Sequence, residues 1–180
     1  AFKINGVEVD TLITQETANN LGGLGDSSNN EYRQSQPFDL PLGATITSLE
    51  LSVNSEQGTF SGDVTVKVET DNAGDPSGTL VDANATAILH LTTGWNTLNF
   101  TDAFHIDANT KYHLRQYCDN QSTGVRYLMD VRNTGDLTAS SGGFMYSSDG
   151  GSNWVEATTG AFTMRLYGTF DSSPRSQAII

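Results

Sequence analysis

Between Lys111 and Val131 polar and apolar side chains alternate, and the polar positions include Arg115, Tyr117, Arg126 and Asp130. Two guanidiniums, a carboxylate and a phenol are groups that hold sugars. The planar groups bond hydroxyls and the ring stacks on a C–H face. The same residues also suit an ordinary solvated sheet face, where an Arg–Asp pair is worth little. Other constellations offer less. His90, His105 and His113 lack the short spacings of zinc ligands, and Cys118 has no second sulfur to pair with. Asp71, Asp75, Asp107 and Asp149 lie in turn sequences, where carboxylates bond backbone amides, and do not read as the acid and base of a glycosidase. The stretch from Asp71 to Asp75 offers oxygens to calcium but lacks an Asp-x-Asp-x-Asp-Gly pattern, so structural calcium is the one metal left open. No cofactor is expected. Without a Gly-x-Ser-x-Gly elbow, a phosphate-cradling glycine loop or a legible Ser, His and Asp pattern, the chain reads as non-enzymatic.

Composition narrows the partners. The 180 residues carry a net charge of −12 with a pI near 4.3, which repels a phosphate backbone and excludes nucleic acid as an expected partner. No run approaches the roughly 18 apolar residues that span a bilayer, and the opening residues lack the apolar core of a signal peptide. Membrane association is not expected, and synthesis in a cytoplasm without export fits best. Hydrophobic residues make up 36% and charged residues 17%, so Gly, Ser, Thr, Asn and Gln fill the balance. That mixture favours strands joined by many turns.

The elements that must position the polar groups follow from period-two patterning. Leu49, Leu51 and Val53 share one face, as do Val64, Val66 and Val68, then Ala85, Ala87, Leu89 and Leu91, then Leu98 and Phe100, with Phe104 and Ile106 beyond. Tyr112 and Leu114 share a face with Cys118, Val125, Tyr127, Met129 and Val131 share another, and Phe162, Met164 and Leu166 a third. A hairpin is predicted between Lys111–Cys118 and Val125–Val131, which would unite Arg115, Tyr117, Arg126 and Asp130 on one surface. Trp95 and Trp154, each after a glycine-bearing turn, are expected in the core or beneath a hairpin. Phe2–Ile4 and Val7–Val9 flank Asn5-Gly6 as a small ribbon, and Thr11–Thr17 could form a short helix that would need a partner to pack on. The expectation is an all-β antiparallel sandwich over residues 32–170, with an N-terminal arm and linker at 1–31 and a tail at 171–180 ending in apolar Ile179 and Ile180.

Residues 147–154, Ser-Ser-Asp-Gly-Gly-Ser-Asn-Trp, resemble the Asp-box, a structural turn of form Ser-x-Asp-x-Gly-x-Thr-Trp. Ser147, Asp149, Gly151 and Trp154 match, and Asn153 stands where Thr is usual. Strand-like runs at Gly143–Tyr146 and Ala161–Gly168 are expected to flank it. The order of Gln36-Pro-Phe38, Ile46–Leu51, Val64–Val68 with Asp71–Thr79, Gly94–Phe100, Asn109–Tyr112, Tyr146–Trp154 and Phe162–Gly168 resembles a jelly-roll module. Such modules occur in carbohydrate-binding regions of bacterial surface proteins and in bacteriophage structural proteins. The opening Ala-Phe-Lys-Ile-Asn-Gly-Val-Glu-Val resembles the start of small phage virion proteins. These resemblances imply a virion surface protein: a capsid decoration or cement protein, or a head or tail fibre component, that exposes a sandwich able to meet host glycans. Phe2, Ile4, Val7, Val9, Leu12, Ile179 and Ile180 would then contact the major capsid protein or other virion subunits, with a homo-oligomer, such as a trimer, expected. The alternative is a carbohydrate-binding module of a secreted bacterial enzyme or adhesin.

Overall fold

Fifteen strands account for the regular structure of the described residues. They are β1 (Phe2–Ile4), β2 (Val7–Gln15), β3 (Asn20–Leu24), β4 (Arg33–Phe38), β5 (Ala44–Gln57), β6 (Val64–Asn72), β7 (Asp75–Leu80) and β8 (Thr86–Leu89). Then come β9 (Gly94–Ile106), β10 (Tyr112–Cys118), β11 (Arg126–Arg132), β12 (Met145–Ser147), β13 (Val155–Glu156), β14 (Ala161–Phe162) and β15 (Met164–Phe170). The structure, a computed structural model, describes residues 2–4, 7–16, 18, 20–24, 33–58, 62–118, 126–132, 143–157 and 160–171, with backbone alone at 2–4, 7–9, 20–23, 126 and 132.

All pairings are antiparallel and form two sheets. The eight-stranded sheet runs β1-β2-β15-β5-β11-β14, with β9 also on β5 and β3 also on β11. The seven-stranded sheet runs β13-β12-β4-β10-β6-β7, with β8 also on β6. Between them lies one hydrophobic core, and the patterning puts it there. Leu49, Leu51 and Val53 of β5, Val64, Val66 and Val68 of β6, Leu98 and Phe100 of β9, and Met164 and Leu166 of β15 are all buried in it. Tyr112, Leu114 and Cys118 enter from one sheet, and Tyr127, Met129 and Val131 enter from the other. The fold is an antiparallel β-sandwich.

Three expectations are corrected. First, Lys111–Cys118 and Val125–Val131 do not make a hairpin: β10 pairs with β4 and β6, while β11 pairs with β5, β3 and β14 in the opposite sheet. The chain crosses the sandwich between them. Second, of the stretch Thr11–Thr17 whose sequence admits a short helix, Thr11–Gln15 continue β2 as strand and pair with β15, from Tyr167↔Thr11 to Met164↔Gln15. Leu12 and Ile13 are buried, and a Cβ at Gly168 would lie 2.9 Å from Leu12 Cδ1 and collide with the Thr45 carbonyl, so Leu12 packs in the core. Third, β2 and β3, expected in the arm, join the sandwich: β2 pairs with β15, β3 pairs with β11, and Leu24 is fully buried. Their alternation finds a sheet edge to complete. Phe2, Ile4, Val7 and Val9 lie on the β1–β2 ladder, and Ile179 and Ile180 lie outside the described residues.

The turn after β12 returns through β13, with Tyr146 opposite Val155, and not through Ala161–Gly168. That later run splits into β14 and β15 around Thr163, whose N–H donates to the Asp130 carbonyl while its carbonyl accepts from Ser52 N–H. The polar stretch after Asp71 is a tight hairpin: Asn72 pairs with Asp75, and Ala73 and Gly74 adopt the positive φ that such a two-residue loop demands.

Candidate functional site

On β10 the inward residues Tyr112, Leu114 and Cys118 leave His113, Arg115 and Tyr117 on the outer face of the seven-stranded sheet. Register completes that face: Arg115 is opposite Lys67 of β6 and Ser35 of β4, and His113 is opposite Glu69. This surface is outward yet largely closed. Ser35, Glu69 and His113 are fully buried and Arg115 is nearly so. The Asp-box turn leans on it, since Gly151 abuts Arg115 and Arg33, and the Arg115 guanidinium carbon lies 5.9 Å from the Trp154 ring.

Tyr117 is its centre. Arg33, Arg115 and Lys67 approach its ring at 4.8, 5.2 and 5.3 Å, so three of the chain's nine Lys and Arg side chains meet one phenol. Arg115 Nη1 donates to Glu69 at 2.8 Å, and Glu69 also accepts from Gly78 N–H at 3.0 Å. Burial pushes the Glu69 carboxyl up, against the Gly78 amide and the Lys67 and Arg33 charges that favour its anion. Arg115 Nε is buried with no hydrogen-bond partner among the described residues. The arrangement offers aromatic surface, cationic charge and an unsatisfied donor together.

Beside it stands a chain of hydrogen bonds that the sequence did not reveal. Ser35 Oγ lies 3.3 Å from His113 Nδ1, and His113 Nε2 lies 2.9 Å from Asp71 Oδ1. An ionised Asp71 only accepts, so Nε2 carries the proton and Nδ1 accepts the Ser35 hydroxyl. Burial lowers the His113 pKa and keeps the ring neutral, against the pull of Asp71. Burial would raise the Asp71 carboxyl, but the His113 bond and the Gly74 amide hold it below its ordinary value. These are the residue types of a nucleophile relay. Ser35 is sealed from solvent, however, so its hydroxyl meets no substrate in this conformation. The residues come from β4, β6 and β10, too far apart in sequence for spacing to expose the trio.

Asp130 and Arg126, expected beside Arg115 and Tyr117, belong to β11 in the opposite sheet. Asp130 accepts from Ser52 Oγ at 2.6 Å; Arg126 has only its backbone described. The outer face of the eight-stranded sheet carries a second aromatic and ionic group. Arg165 donates to Glu50 at 2.9 Å and to Glu16 at 2.8 Å, and its guanidinium stacks 4.1 Å from the Trp95 ring centre. Tyr167 donates to Glu50 at 2.7 Å. Burial would raise the Glu50 carboxyl, but bonds from Tyr167, Arg165 and Thr97 hold it low, and Glu50 in turn raises the Arg165 pKa. Trp95 is 40% exposed, which corrects its expected place in the core. The parity of Leu98 and Phe100, both inward, already sets Trp95 outward.

The Asp-box residues behave as the turn chemistry requires. Asp149 accepts from the Ser152 and Asn153 amides at 3.0 and 2.9 Å and from Ser147 Oγ at 2.7 Å, while Gly151 N–H donates to Ser147 Oγ. Asn153 Nδ2 also donates to Asp149, which shows how Asn serves at the position of the usual Thr. The Asn153 bonds lead in lowering the Asp149 pKa to about 2. Trp154 is half-buried against the Arg115 side of the sheet. At the Asp71–Asp75 hairpin, Asp71 is engaged by His113 and Gly74, and among the described residues no group of three or more His, Cys, Asp or Glu is placed to hold a metal.

Comparison of the sequence with known protein families and with characterised proteins yields no match.

Proposed function

We propose that this chain is a non-enzymatic surface protein of a phage virion whose β-sandwich recognises saccharide through the outer face of its seven-stranded sheet. The phage assignment draws on the sequence resemblances. The saccharide assignment draws on one observation, the convergence of Arg33, Lys67 and Arg115 on the Tyr117 ring with Trp154 nearby. Aromatic planes edged by planar donors suit a pyranose, which has an apolar face and a polar rim.

A saccharide array probed with the full chain and with Tyr117→Ala tests this. Signal from the native chain that disappears in the variant is expected. Equal signal from both would remove this face from the reading. On the assembly side, light scattering should report a homo-oligomer.

One observation favours a second reading, a carbohydrate-binding module of a secreted enzyme or adhesin. Leu12, Ile13 and Leu24 are buried within the sandwich, so β2 and β3 take part in this domain's own core. A monomer that binds saccharide would support that alternative.

A further inference from the structure

Lys67 and Arg115 sit directly opposite each other on neighbouring antiparallel strands. Like charges in that register repel and destabilise a sheet. Glu69 answers the Arg115 half of this pair and feels the Lys67 charge, but no carboxylate among the described residues pairs with Lys67 itself. Glu69 is bonded to Arg115 Nη1 and to Gly78 N–H, Asp71 to His113 and Gly74, and Asp149 to its own turn. Lys67 forms no hydrogen bond or ion pair among the described residues and has the Tyr117 ring for company. Arg115 is nine-tenths buried, with Nε lacking a partner.

We infer that this site takes an acidic saccharide, one bearing a uronic or sialic carboxylate that enters between Lys67 and Arg115 while its ring lies along Tyr117. The inference rests on the saccharide reading above and sharpens it. The carboxylate pairs with Lys67 and screens its repulsion from Arg115, so the charge on the sugar, and not its hydroxyl pattern alone, decides binding. Arg33 lies 4.8 Å from the same ring.

The test uses the full chain, calorimetry, and matched ligands: sialyl-lactose against lactose, and oligogalacturonate against its carboxyl-reduced form. The acidic member of a pair should bind at least about tenfold more tightly, the effect of one charge-assisted hydrogen bond, and should weaken as salt rises. Lys67→Gln is the decisive variant, because relief of the like-charge pair offsets the loss of the Lys67 charge beside Glu69 and the fold stays intact. It should melt close to the native chain and yet lose the preference for the acidic ligand. Equal binding of acidic and neutral partners would overturn the inference and leave the saccharide reading standing. Acidic binding unchanged by Lys67→Gln would place the anion elsewhere and overturn it too. Binding of neither ligand in either pair would remove both.

Discussion

The two outer faces of the sandwich use the same side-chain types to opposite ends. On the eight-stranded sheet Arg165 is answered by two carboxylates, Glu50 and Glu16, and stacked on Trp95. On the seven-stranded sheet three cations share Tyr117, and Glu69, bonded to Arg115, is itself fully buried. The Arg165 charge is answered, so a ligand there would displace bonds already made. On the second face Lys67 has no ion pair and Arg115 Nε no hydrogen-bond partner among the described residues. An aromatic ring beside an arginine is therefore no sufficient mark of a binding site; the balance of donors and acceptors around it is what distinguishes one face from the other.

The contrast can be broken at several points. The largest effect is expected from deleting residues 1–31, which removes β1, β2 and β3 and uncovers β15 and β11. Loss of buried Leu12, Ile13 and Leu24 at about 2–5 kcal/mol each exceeds what a typical domain can absorb. Circular dichroism and a thermal melt should show no cooperative transition; a folded truncation would mean that these strands are dispensable.

Arg115→Ala follows. It strands the Glu69 carboxylate inside the protein at a cost of about 3–5 kcal/mol, whereas Arg165→Ala, whose side chain is 28% exposed, should cost under about 2 kcal/mol for its two ion pairs. Chemical denaturation of the two variants measures the difference, and equal losses would erase the proposed distinction between the faces. Lys67→Gln should move stability by less than about 1 kcal/mol, because relief of the like-charge cross-strand pair offsets the loss of the charge that favours the Glu69 anion.

The smallest effect is in pH. Burial holds His113 below its ordinary pKa, so the unfolded chain takes up a proton below about pH 6.5 that the folded chain refuses. Stability should fall as pH drops from there toward the folded value. Asp71, also held low, extends the loss: its contribution is present above about pH 3.9 and disappears as pH falls through its folded pKa. Glu69 runs oppositely, since its raised pKa gives stability below about pH 4.3 that is lost as pH rises through the folded value. In His113→Gln the melting temperature should lose its slope just below about pH 6.5; an unchanged slope would assign the effect to another group.

Much of this molecule was legible from alternation. The inward faces of β5, β6, β9, β10 and β15 follow directly from residues such as Leu51, Val66, Phe100, Leu114 and Leu166. The Asp-box turn could be read from four residues because its bonds are local. What alternation cannot give is adjacency. It sets Arg115 and Asp130 each on an outer face, but does not say that β10 and β11 belong to different sheets. For the same reason Lys67 opposite Arg115, and Ser35 beside His113 and Asp71, are long-range facts with no local trace. The stretch Thr11–Gln15 mixes apolar and polar residues weakly enough to suit helix or strand, and the edge of β15 decides between them.

The central claim is that recognition belongs to the face around Tyr117. Backbone amide shifts of the isotope-labelled full chain during titration with sialyl-lactose and oligogalacturonate test it most directly. The account predicts, with at least one of them, perturbations gathered at Arg33, Lys67, Arg115, Tyr117 and Trp154, with Trp95, Arg165 and Tyr167 unmoved. Shifts gathered instead around Trp95 and Arg165 would contradict it.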